Sequence, residues 1–176
     1  LVKPAPRPAF FPEATVSTVQ TFTATPNATP NLASFATPYS AGDLLGGKLT
    51  LNQAVRVPPQ SGLIHSLTLT DKAKQDADID VVFFLADPDN TTFTDNGALD
   101  VDDADLVKIL GVVSIVAADY VDFADNSVAT KTSLGLPFRL TTKDEHALYA
   151  CLVARGTPTY SAAADLKLTV GILQDS

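Results

Sequence analysis

The chain has 176 residues, 45% of them hydrophobic and 18% charged, with a net charge of −8. It is long enough for one domain with a buried core, too apolar for a disordered chain, and too acidic to wrap nucleic acid or settle on an anionic membrane. A single cysteine excludes an intrachain disulfide, and no apolar run reaches the roughly 18 residues of a membrane-crossing helix.

Residues 1–42 read as an extended N-terminal arm. Seven of the 12 prolines fall there, and its only charges, Lys3, Arg7 and Glu13, leave it at +1 against −9 for residues 43–176. Proline fixes φ and pushes the preceding residue toward an extended conformation. The Thr- and Ala-rich stretch 14–38 shows neither a helical period nor a clean strand. A polyproline-II path of about 3.1 Å per residue would let the arm reach roughly 100 Å. Phe10, Phe11, Phe22, Phe35 and Tyr39 lie in it, and a segment that thin cannot bury five aromatic rings by itself. They need a groove, on the body or on a partner. With Lys3 and Arg7 they are the candidate partner-binding residues.

From Leu44 the period changes to two. In GKLTLNQAVRV, Leu49, Leu51, Val55 and Val57 share one face, as expected of a half-buried strand. GLIHSLTLTD places Leu63, Leu67 and Leu69 together, with His65 in the same alternation. DIDVVFFLADP is apolar on both faces and reads as a central strand. DVDDADLVKILG predicts the one short helix, capped by Asp102 with Asp105 three residues on and stopped by Gly111. GVVSIVAADYV, PFRLTT, ALYACLVAR and DLKLTVGILQ complete the set. Eighteen of the 20 acidic residues are Asp, which favours turns and caps. The prediction is a mainly β protein: an antiparallel β-sandwich of jelly-roll type over 43–176, about seven or eight strands with one short helix.

Few residues offer chemistry. Cys151 alternates with Tyr149 and Val153 and reads as a small buried hydrophobe, not a nucleophile. His65 is expected in a core or an interface, and His146 in a solvated turn. No hydrolase or zinc motif is present, so no catalytic, metal or cofactor site is expected. Asp87, Asp89, Asn90, Asp95 and Asn96, and the run Asp100, Asp102, Asp103 and Asp105, could supply calcium oxygens. Asx-turns and helix capping explain them equally well, and neither run fits an EF-hand.

YSAGDLLGGKLTLNQAVR, SGLIHSLTLTDKAKQ, DVVFFLADPDNTTFTDNGAL, GLPFRL and LYACLVARGTPTY…DLKLTVGILQD, spanning Tyr39 to Asp175, resemble a family of small structural proteins among the virion genes of tailed bacteriophages. The resemblance implies a non-enzymatic capsid decoration, or cement, protein on the capsid exterior. It implies the major capsid protein as partner and a homo-oligomer, expected as a trimer, with no nucleic acid, membrane or cofactor. The arm lies outside the resemblance and would serve as a strap. The alternatives are a carbohydrate-binding module of a tail or fibre, and a polysaccharide-degrading enzyme with a carboxylate pair.

Overall fold

Alternating inward side chains build two antiparallel sheets. The computed structural model describes residues 37–56, 59–142, 145–162 and 164–174, and residues 18–24 by their backbone. The strands are β1 (Thr18–Ala24), β2 (Leu49–Leu51), β3 (Gln60–Asp71), β4 (Ile79–Phe84), β5 (Ile109–Ile115), β6 (Tyr120–Asp122), β7 (Ser127–Lys131), β8 (Leu136–Leu140), β9 (Leu148–Ala154) and β10 (Leu166–Gln174). One helical turn, α1, spans Asp103–Leu106. The first sheet runs β1-β10-β3-β7-β6, with β8 also paired to β3; the second runs β2-β9-β4-β5. Strands β1 to β4 thus alternate between the sheets, and β9 and β10 return beside β2 and β1. That is the jelly-roll order, two interleaved Greek keys. The expected antiparallel sandwich is the fold of this chain.

The main core lies between the sheets. Ile64, Leu67 and Leu69 of β3 and Leu166, Leu168, Val170 and Ile172 of β10 meet Ile79, Val81 and Phe83 of β4 and Leu148, Ala150 and Leu152 of β9. The opposite face of the second sheet is also apolar. Val82 and Phe84 of β4, with Cys151 and Val153 of β9, form a second cluster with Leu44. Phe93, Leu99 and Val101 pack on it from residues 85–108. This cover is the physical reason that the run Val81–Phe84 is apolar on both faces: that part of β4 is buried on both sides.

Several sequence expectations change; among the described residues the strands number ten, not seven or eight. The stretch 14–38 does contain a strand, β1, in antiparallel register with β10 from Thr18↔Gln174 to Ala24↔Leu168. Its window, TVQTFTA, is free of proline and rich in β-branched residues. The expected strand from Lys48 to Val57 stops at Leu51, and a turn follows with Gln53 at φ 60°. In β3 the alternation breaks at a bulge: Ser66 pairs with Gly171 but Ile64 with Ile172. His65 is the extra residue, so it turns outward and is exposed, and the inward set passes from Leu67 to Ile64. At the same place β3 changes partners on its other side, from β7 to β8. Finally, α1 lasts one turn, and Gly111, expected to stop it, lies within β5 opposite Phe83.

Candidate functional site

Residues 85–108 form a lid over the outer face of the second sheet, and most of the acidic candidates sit in it. Backbone bonds fasten the lid along the segment that leads into β2: Leu44 N–H donates to Gly97 O (2.9 Å), Asn96 N–H to Leu44 O (3.0 Å) and Leu99 N–H to Gly42 O (3.0 Å). That segment is itself laddered to β9 through Gly42 to Ala154 and Leu45 to Leu152. Asp95 locks the crossing, accepting from the Gly46 N–H (2.7 Å) and from the Tyr39 hydroxyl (2.8 Å).

Asp105 organises the rest. It is fully buried. Its Oδ2 accepts from the N–H groups of Asn90 (3.0 Å) and Thr91 (2.7 Å) and from the Thr91 hydroxyl (2.7 Å). Its Oδ1 accepts from Asn90 Nδ2 (3.2 Å) and pairs with Lys108 Nζ (2.8 Å). Burial alone would raise its pKa, but the bonds from Lys108, Thr91 and Asn90 outweigh it and hold the carboxyl well below the usual carboxylate range. Lys108 also reaches Asp89 (2.5 Å) and Asp87 O (2.7 Å), and its hydrogen bonds to Asp105 and Asp89 push its pKa up. The ammonium therefore stands where three oxygens converge, and N–H and O–H donors occupy the lone pairs of Asp105 that a calcium ion would need. Asp102 caps α1 through Ala104 N–H (2.8 Å), while Asp105, expected to complete a capping box, is turned inward instead. Among the described residues no group of three or more acidic, His or Cys side chains is arranged to hold a metal.

Asp100, Asp102 and Asp103 are exposed and, with Asn90, Thr92 and Thr94, line an open groove of about 600 Å³. Beside it, Leu106 and Val107 expose their side chains, Val107 to 87%. A second exposed apolar set, Val112, Val116, Val121 and Phe123, flanks the crossover from β5 to β6. Read as sequence, GVVSIVAADYV, which holds Val112, Val116 and Val121, is one strand; the structure ends β5 at Ile115 and starts β6 at Tyr120, with a short turn of 3-10 helix at Ala117–Asp119 between them.

The other candidates resolve simply. Cys151 is buried beneath the lid, and burial pushes its thiol up to about 12. His146 is exposed and lines a hollow with Asn52, Gln53 and Arg56. Asp71, fully buried at the end of β3, accepts from the N–H groups of Ala73, Gln75 and Asp76 at 2.8–3.1 Å. Burial raises its pKa against those three bonds. It shapes a turn in which Lys74 and Asp76 take positive φ.

Of the partner-binding candidates, Lys3, Arg7, Phe10, Phe11 and Phe35 lie outside the described residues. Phe22 lies on β1, its backbone opposite Val170. Tyr39 is only 4% exposed, and its ring meets Tyr160 edge-on at 6.1 Å. Burial and the bond to Asp95 raise its pKa. It anchors its own segment to the body, so it is not a free contact for another molecule. The expected boundary at Asp43 falls within this fastened run.

Fold and surfaces together define a jelly-roll sandwich with an acidic lid and an N-terminal rim strand. No protein-family model matches the chain, and no curated protein matches its sequence.

Proposed function

We propose that the protein is a non-enzymatic virion structural protein of a tailed bacteriophage, a capsid decoration protein that binds the major capsid shell from outside. The observation that carries the reading is the attachment of the leader. Residues 1–17, with Lys3, Arg7, Phe10 and Phe11, run directly into β1, the rim strand of the six-stranded sheet. A cationic, aromatic strap joined to a sheet edge suits an acidic body that must be held on a larger surface. Prolines in the strap reduce the entropy lost on docking. Jelly rolls occur in capsid proteins and in lectins alike, a likeness of architecture alone.

The test is cosedimentation with capsids that lack the protein. Burying one Phe side chain contributes on the order of 1.5–3 kcal/mol, and an exposed ion pair about 0–1 kcal/mol. Phe10→Ala with Phe11→Ala is therefore expected to weaken binding at least tenfold, by about 1.4 kcal/mol or more. Lys3→Ala with Arg7→Ala should have a smaller effect that fades with salt. Full binding after removal of residues 1–17 would end the strap reading, and no binding by the intact chain would end the capsid reading.

A further inference from the structure

We propose that the free edge of β5 pairs with the same edge of a second copy of this chain, antiparallel and about a two-fold axis at Val113. The inference stands whether or not the chain decorates a capsid, because it concerns an edge of the second sheet and not the leader.

The edge is open. Among the described residues β5 pairs only with β4 and ends its sheet. The alternation of the ladder tells which of its backbone groups are left over. Arg155 N–H donates to Asp78 O (2.8 Å), one step beyond the pair Ile79↔Ala154. Bonded and non-bonded pairs alternate in an antiparallel ladder, so Asp78, Asp80 and Val82 face β9, while Ile79, Val81 and Phe83 face β5. Their partners Ile115, Val113 and Gly111 therefore direct their N–H and C=O groups at β4. Val112 and Ser114 point theirs out of the sheet. Among the described residues no turn or loop bond reaches those groups. At Gly111 the edge is closed by β8, since a Cβ there would lie 3.0 Å from Leu136 Cδ2. Beyond it an open hollow of about 370 Å³ separates Val112–Ser114 from Leu134 and Leu136, which leaves a neighbouring strand room to approach. The edge also carries no guard. ILGVVSI has no charge and no proline, and its one bulge, at Leu110, precedes the free part. Bare edges are ordinarily protected by such features.

Two observations select an identical copy as the occupant. The first is charge. Residues 43–176 carry −9, so two copies repel over most of their surface. At this edge the neighbouring acids are neutralised within the chain. Asp80 pairs with Arg155 (2.7 Å) and accepts from Ser114 Oγ (2.6 Å), and Asp119 pairs with Lys131 (2.5 Å). The other exposed apolar pair, Leu106 and Val107, lies beside Asp100, Asp102 and Asp103, which have no ion-pair partner among the described residues. A second copy there would bring like charges together. The second observation is register. With Val113 opposite its own copy, Val112 stands opposite Ser114 of the second copy on each side of the axis. Those two pairs make four backbone hydrogen bonds and use every outward N–H and C=O of both residues. The Val112 side chain is 51% exposed, although Val82, its partner on β4, is covered by the lid. The second copy would supply the cover that the lid does not, and the two sheets would join into one, as an isologous contact requires.

Val113→Cys tests the axis. Directly opposed residues of a non-bonded pair stand about 4.5 Å apart at Cα, within the roughly 4.4–6.8 Å that a disulfide spans. Under mild oxidation the full-length variant should link to its own copy, whereas Val121→Cys, exposed on β6, should not; buried Cys151 stays in place. In sedimentation equilibrium the unaltered chain should dimerise. Val112→Lys, which adds a charge beside the axis without touching the β4 ladder, should weaken that dimer roughly tenfold or more. If Val113→Cys does not fold, the sedimentation comparison decides. A folded Val113→Cys that stays unlinked overturns the two-fold register, and a dimer that Val112→Lys leaves unchanged places the contact elsewhere. A monomer at the highest attainable concentration overturns the inference as well, including one that dimerises only after removal of residues 1–17, which would make the leader the occupant of the edge.

Discussion

Replacing Phe93 by alanine tests whether the lid is what buries the second cluster. The Phe93 ring stands edge-on to Phe84, with centroids 6.2 Å apart and planes at 85°. An aromatic pair contributes about 0.5–1.5 kcal/mol beyond burial, and a fully buried Phe→Ala change costs about 3–5 kcal/mol. Phe93 is only partly buried, so a loss of about 2 kcal/mol is expected, concentrated on the lid. Cys151 reads it out directly. It is the single thiol, it lies beneath the lid, and burial pushes its pKa to about 12, so the closed state offers almost no thiolate. Labelling by an aromatic disulfide at mildly alkaline pH should then report lid opening, provided reclosing is fast. Two kcal/mol corresponds to labelling about 30-fold faster. Phe93→Ala with unchanged labelling, or an unaltered chain that labels as fast as the unfolded one, would refute the claim that the lid shields this face.

Gly62 faces Phe138 across the β3–β8 pair, and a Cβ there would lie 2.4 Å from the ring Cζ; Gly62→Val should cost about 1–3 kcal/mol in urea unfolding, and a neutral result would mean that the ring is free to turn away. Asp105→Asn should lower the melting temperature at neutral pH, because an amide cannot accept from all five donors. Its folded pKa lies below the ordinary 3.8, so the stability it contributes is present above that value and lost as pH falls through the folded pKa; below about pH 4 the unaltered chain should lose stability more steeply than the variant in acid titration followed by circular dichroism. Removing residues 1–24 instead of 1–17 deletes the β1 ladder of seven cross-strand pairs. At about 0.2–1 kcal/mol per pair that should lower stability by a few kcal/mol, and equal melting of the two truncations would show that β1 adds nothing.

Period and turn chemistry were enough to read β4, β8, β9 and β10, because each is a strong alternation or an apolar run bounded by Gly, Pro or Asp. They failed where a tertiary contact decides. The bulge at His65 reflects β3 serving two partners in turn, a fact of topology that leaves no mark on the local pattern. Asp105 looked like a capping residue because its spacing from Asp102 is right for one; only the fold brings Asn90 and Thr91 within reach of it. β1 was hidden by its neighbours: prolines on both sides gave the whole segment the character of an arm, although the seven residues of β1 itself have ordinary strand chemistry. Tyr39 was grouped with that arm for the same reason, whereas its hydroxyl is committed to Asp95, 56 residues away.

The β1–β10 ladder also sets how the molecule answers a pull on its leader. Tension along the axis of β1, applied ahead of Thr18, loads all seven pairs at once, as in a lap joint. Tension across the sheet opens the pair Thr18↔Gln174 first and then each pair in turn, as a zipper does. The same set of hydrogen bonds is strong in one direction and weak in the other. A subunit tethered this way would resist forces that slide it over a surface and yield to forces that lift it away.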